Sequence, residues 1–156
     1  MIKALKLKAI DVDDLRVISV YLQDAVTVPG DLAYQKKQHR FAAMFNRYCW
    51  EAQDIDHADL PEEMTCLRVR TGVHFDGVMK VESQNIPKLL KNAPLELLAI
   101  DCEEGVDGAA VITLVFAGGS SVRLHVECID AYLSDVSEPW PARCEPEHAA
   151  LKRADA

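Results

Sequence analysis

The sequence predicts an α+β fold. It reads as a first strand, an N-terminal helix, about seven to eight mostly antiparallel strands, and a C-terminal helix. Three observations carry this. Apolar and polar residues alternate at period two along runs such as Cys66–Phe75. The links between such runs are short and rich in turn residues, which favours antiparallel pairing over helical crossovers. Only two stretches, near 12–24 and 129–136, space apolar residues at helical intervals. Seven antiparallel strands closed by a C-terminal helix also describe a pleckstrin-homology-like barrel, so a closed sheet of that kind is a further expectation.

Leu5–Ile10 alternates apolar and charged residues and predicts a strand with one wet face. Asp11 supplies an N-cap oxygen, and Asp13 and Asp14 sit in the positive first turn of the helix that follows. Leu15, Ile18, Leu22 and Ala25 form its apolar stripe. The helix should end near Asp24, before β-branched Val26-Thr27-Val28 and the turn pair Pro29-Gly30.

Leu32–Gln35 and Arg40–Trp50 flank the polar Lys36–His39 and predict a hairpin. In the second strand Phe41, Ala43 and Phe45 share a face, with Met44, Tyr48 and Trp50 on or beside the other. Glu51–Glu63 is acidic, contains Pro61 and lacks an apolar stripe, so it predicts an exposed loop. In Cys66–Phe75, Leu67, Val69, Val73 and Phe75 point one way and Arg68, Arg70 and His74 the other. Asp76-Gly77 is a hairpin turn into Val78–Ser83.

Asn85–Pro94 is a connector. Leu95–Glu103 and Ala110–Ala117 are apolar strands, and Gly118-Gly119 turns into Ser121–Glu127. Ile129, Tyr132, Leu133 and Val136 then space as the final helix. Residues 1–137 make one domain by these signals. Residues 138–156 contain Pro139, Pro141 and Pro146 and predict a mobile tail, with Trp140 as an anchor.

At 156 residues and 49% hydrophobic composition, the chain can bury a core of its own. No apolar run approaches the roughly 20 residues of a membrane span, and no basic-then-apolar leader opens the sequence. The net charge of -8 disfavours long nucleic acid as a partner. That charge is segregated: residues 1–50 hold eight Lys/Arg and five Asp/Glu, while residues 101–156 hold four and eleven. Five cysteines without a C-x-x-C fit neither a disulfide framework nor a zinc ribbon. Free thiols fit a reducing compartment, so a cytoplasmic location is expected, with no membrane partner.

The catalytic motifs are weak. His125-Val-Glu127 opens a zinc-deaminase signature whose P-C-x-x-C half is missing. His57-Ala-Asp59 and His74-Phe-Asp76 place an imidazole near a carboxylate, a pairing equally at home in loops and turns. Cys128, at the start of the expected last helix and close to His125, is the cysteine nearest to an activated position. There is no G-x-S-x-G, P-loop or G-x-G-x-x-G. No cofactor, metal or catalytic residue is expected.

A binding reading has more behind it. Arg40, Arg47, Arg68 and Arg70 could line one sheet face beside Lys6 and Lys8. The alternation turns Arg68 and Arg70 outward, and Lys6 and Lys8 outward on their own strand. Lys6, Lys8, Arg68 and Arg70 are therefore the candidate face, for an acidic protein surface or a small anion.

Longer strings resemble a known family. Gln23-Asp-Ala25, Gly30-Asp-Leu-Ala-Tyr34, Arg40-Phe-Ala42 and Asn46-Arg-Tyr-Cys-Trp-Glu51 are similar to its N-terminal half. Val73-His-Phe-Asp-Gly-Val78, Leu97-Leu-Ala-Ile100, Leu114-Val-Phe-Ala-Gly-Gly119 and Val122-Arg-Leu-His-Val-Glu-Cys-Ile129 are similar to its second half. The family is the bacterial domain of unknown function 2948, found mainly in alphaproteobacteria. The resemblance runs nearly to Trp140, apart from about residues 52–65. It implies a small bacterial cytoplasmic protein and assigns no activity, cofactor or residue roles. The expected function is a non-catalytic binding or assembly module. The alternative is a small enzyme or ligand carrier with a polar site near His125 and Cys128.

Overall fold

In the computed structural model, which describes residues 3–49 and 66–142, β1 (Lys6–Ala9) leads into α1 (Val12–Leu22). The Asp11 carboxylate accepts from the Asp14 backbone N–H at 2.8 Å, which satisfies one of the helix's orphan donors. Leu15, Ile18 and Leu22 form the buried stripe, and the Ser19 hydroxyl accepts from the Ile100 N–H at 2.9 Å. The strands that follow are β2 (Val26–Thr27), β3 (Leu32–Gln35), β4 (Arg40–Tyr48), β5 (Cys66–Phe75) and β6 (Val78–Gln84). Then come β7 (Leu95–Glu104), β8 (Ala110–Phe116), β9 (Ser121–Val126), β10 (Ala131–Asp135) and β11 (Trp140–Ala142).

All pairings among the described strands are antiparallel, in the order β1-β10-β5-β4-β2-β7-β8-β9-β6. β3 lies along β4 and β11 along β5. One corner connects the two halves of the sheet. There β5 runs on into β6 and β9 into β10, held by Asp76 N–H to Asp130 O at 2.8 Å and Glu127 N–H to Gly77 O at 3.0 Å. Gly77 sits at φ +69°, a conformation that costs glycine little. At the opposite corner β2 bridges β4 and β7.

The interior follows the alternation. Leu15, Ile18, Leu22, Phe45, Val69, Val73, Leu97, Ile100, Ile112, Leu114, Phe116, Leu124, Val126, Ile129 and Leu133 are all buried. Apolar atoms removed from water at about 25 cal/mol per Å² are the main stabilisation of such a core.

The architecture departs from the expectation in three ways. The described strands number eleven rather than seven or eight, because Val26–Thr27, Ala131–Asp135 and Trp140–Ala142 each pair as well. The sheet is open, with β1 and β6 at its ends, so it is not a closed pleckstrin-homology-like barrel. The expected C-terminal helix is β10: it fills the space between β1 and β5, with Ala131 and Leu133 inward and Tyr132 outward. Ile129, Tyr132, Leu133 and Val136 fit a helical spacing by coincidence, and Val136 is 58% exposed. Such a short run satisfies both periods, and the vacant strand edges on either side decide it. Within residues 138–156, Trp140–Ala142 pairs with Cys66–Arg68. Trp50, the expected 51–63 loop with His57, and Pro146 lie outside the described residues.

Candidate functional site: a basic sheet face

Residues directly opposed in an antiparallel pair point to the same side of the sheet. Reading across the registers, Lys8, Tyr132, His74, Ala42 and Ala33 form one outward row. Lys6, Ser134, Gly72 and Met44 form the next. Arg70 with Asn46, and Arg68 with Tyr48, continue it along β5 and β4. The intervening row, Leu7, Leu133, Val73, Ala43 and Leu32, carries the opposite phase, and Leu133, Val73 and Ala43 are buried. The four residues Lys6, Lys8, Arg68 and Arg70 thus share the outer face of one half of the sheet. Arg40 joins them by alternation with Ala42 and Met44 along β4.

The cations are held in different ways. Lys6 and Lys8 are exposed, with the Lys8 ammonium 5.4 Å from the centre of the Tyr132 ring. Tyr132 stacks on His74 at 4.9 Å. The Arg68 guanidinium lies 3.9 Å over the Tyr48 ring and donates to the Asn46 carbonyl at 2.8 Å. Arg70 donates to Asn46 Oδ1 at 3.1 Å and to Asp31 Oδ2 at 3.0 Å. Arg40 donates to Asp76 at 2.7 Å, and that bond, against some desolvation, raises its pKa further. Two of the cations are therefore neutralised locally, by Asp31 and Asp76. Between them Gly72 has no side chain, and the Met44 side chain lies over it: a Cβ there would meet the Met44 sulfur at 3.3 Å.

Arg47 does not belong to this face. It occupies the same phase as Ala43 and Phe45, and its side chain is fully buried. It donates to Asp135 through Nε at 3.0 Å and Nη2 at 2.8 Å, and to the Tyr48 carbonyl at 3.0 Å. Asp135 also accepts from the Leu5 N–H at 2.8 Å and the Thr71 hydroxyl at 2.7 Å. The phase of β4 is the sequence signal for an inward arginine. Its partner 88 residues away left no local trace.

Of the polar residues considered for chemistry, His74 and Asp76 come together, Nδ1 to Oδ2 at 3.6 Å with Arg40 on the same carboxylate, while His125, Glu127 and Cys128 lie on or just after β9. His125 faces out from β9 and bonds Glu82 on β6 at 2.5 Å, which together with Lys80 lowers the Glu82 pKa. Glu127 and Cys128 are exposed in the bend before β10, and His74 is stacked on Tyr132 on the other half of the sheet. With β10 a strand, Cys128 loses the helix N-terminus that would have activated it. No group of three or more His, Cys, Asp or Glu among the described residues could hold a metal ion. Cys102 and Cys128 are free thiols, whereas Cys66 is disulfide-bonded, contrary to the expectation for that residue. No helix among the described residues is long and apolar enough to cross a membrane.

Sequence reading missed a cleft of about 420 Å³ on another side of the molecule, between β3, β6 and the 85–94 connector. Its lining comes from separate stretches of chain, so no local motif announces it.

No curated protein and no solved structure matches the chain. A family model described as a protein of unknown function (DUF2948) matches residues 5–148, which span every described strand and the helix. The chain therefore belongs to the DUF2948 family.

Proposed function

We propose that the protein is a non-catalytic binding module of the bacterial cytoplasm that docks an acidic protein surface on the outer face of β1, β10, β5 and β4. The observation that carries this is the register that turns Lys6, Lys8, Arg68 and Arg70 to one side around Gly72. Like charges gathered on one face of a chain of net charge -8 repel one another, and an anionic partner relieves that repulsion. The strongly acidic remainder would turn away long polyanions and leave only this face attractive, which gives orientation as well as affinity. The free thiols of Cys102 and Cys128 suit a reducing compartment, although Cys66 is bonded. An assembly role fits better than catalysis because His74 stacks on Tyr132 and His125 bonds Glu82, on different strands of the sheet.

The test is affinity enrichment from native lysate with the wild type and with Lys6→Glu/Lys8→Glu. Both lysines are exposed, so the variant should melt within a few degrees of the wild type. Loss of a stoichiometric acidic partner from the variant supports the reading. Equal recovery of that partner by both proteins refutes it.

A further inference from the structure

The edges of β3 and β6 approach each other at one end and part at the other. At the near end Val78 N–H donates to the His39 carbonyl at 2.8 Å, and the Tyr34 hydroxyl donates to the Val78 carbonyl at 3.0 Å. Among the described residues no ladder pairs β3 with β6, and the cleft of about 420 Å³ opens between them. Its floor is apolar: Leu32, Phe41, Val81, Ile86 and Val122. Phe41 and Val122 belong to the buried core, so the cleft reaches down to the interior of the molecule.

The mouth has a different chemistry. The 85–94 connector spans it, fixed at both ends. At one end the Ser120 hydroxyl donates to the Asn85 carbonyl at 2.8 Å, and at the other Gly30 N–H donates to the Lys91 carbonyl at 2.9 Å. Lys88 and Lys91 line the cleft from this connector. Both are exposed, and among the described residues neither forms an ion pair. No carboxylate among the described residues lines the cleft. An apolar floor with a few placed polar groups at its rim is the usual make-up of a small-molecule site, and the volume falls in the usual range.

We infer that this cleft binds a small amphipathic anion, an unbranched or aromatic apolar body ending in a carboxylate, with the body on Phe41, Val81 and Val122 and the carboxylate between Lys88 and Lys91. The apolar part supplies affinity by leaving water, and the lysines select the charged end. The site is separate from the basic sheet face, so each can fail without the other.

The experiment titrates the whole purified chain with decanoate below its micelle concentration, with decanol and inorganic phosphate as the uncharged and purely ionic comparators. Binding is read by calorimetry and by methyl resonances of Leu32, Val81, Ile86 and Val122. Saturable one-to-one binding of decanoate that moves those methyls is expected, with weaker binding of decanol and none of phosphate. Lys88→Glu/Lys91→Glu should weaken decanoate roughly tenfold or more and leave decanol unchanged. Ser83→Trp, an exposed lining position, should block both ligands. Absence of saturable decanoate binding to the wild type overturns the inference, as does methyl movement elsewhere than in the cleft. Equal affinity for decanol, or binding only to phosphatidylglycerol vesicles, overturns it too. The methyl shifts of the wild type decide the location even if a variant fails to fold.

Discussion

Arg47 and Asp135 meet inside the protein as a two-pronged ion pair, Nε to Oδ1 at 3.0 Å and Nη2 to Oδ2 at 2.8 Å, with side chains 0% and 4% exposed. Asp135 spends its remaining acceptor capacity on Leu5 N–H and Thr71, so one carboxylate ties β10 to β4, to β5 and to the residue before β1. The pair also fixes register, because a one-residue slip of β10 would turn Asp135 outward and leave Arg47 charged and buried.

Breaking a buried pair from one side leaves an uncompensated charge. Arg47→Met should therefore destabilise the protein by about 3–5 kcal/mol, and Asp135→Asn should also destabilise it. The double variant should lose less than the sum, because the substituted amide oxygen still accepts from Leu5 and Thr71 while no charge remains buried. Urea unfolding of the four proteins measures this coupling. Strict additivity would mean the two groups do not act as a pair.

The same pair predicts an acid limit. Burial disfavours the ionised Asp135 carboxyl, but hydrogen bonds from Arg47, Leu5 N–H and Thr71 outweigh it and hold its pKa below the usual aspartate value. A depressed folded pKa contributes stability above the unfolded pKa of about 3.9, and that contribution is lost as pH falls through the folded value. The stability gap between wild type and Asp135→Asn should be constant above about pH 5 and should shrink below about pH 4. Unfolding free energies at stepped pH check the sign.

Where the information was local, it was legible. The α1 stripe, its Asp11 cap and the phases of β5, β8 and β9 are set by neighbours in sequence, and Leu15, Ile18, Leu22 and Ala25 are all buried. Strand β10 was not legible, because the spacing of Ile129, Tyr132, Leu133 and Val136 suits a helix and only the distant edges of β1 and β5 select a strand. The outward phase of Lys6, Lys8, Arg68 and Arg70 was local, whereas their common face depends on β10 lying between β1 and β5. Arg47 resembles the outward arginines in residue type, but its phase with Ala43 and Phe45 turns it inward.

Leu114 is fully buried in β8, paired with Ile100 on one side and Val122 on the other. Leu114→Ala should cost about 2–5 kcal/mol in denaturant unfolding, the sum of lost transfer energy and a residual cavity. A loss below about 1 kcal/mol would contradict the inward phase of that strand.

Thiol reactivity should follow exposure. Cys128 is exposed and should react first with a thiol reagent in the native state. Burial, with Glu104 nearby, pushes the Cys102 thiol up, so it should lag at neutral pH. Cys49 is 1% exposed and should react only on unfolding. Timed labelling followed by peptide mass spectrometry gives the order.

The most direct test of the basic face is a nuclear magnetic resonance titration of the wild type with a hexaglutamate peptide at low salt. The account predicts amide shifts confined to the outward rows of β1, β10, β5 and β4, centred on Lys8, Arg68, Arg70 and Gly72. It also predicts that Lys6→Glu/Lys8→Glu abolishes them while the fold is kept. Shifts scattered over the surface, or shifts that persist unchanged in that variant, would contradict it.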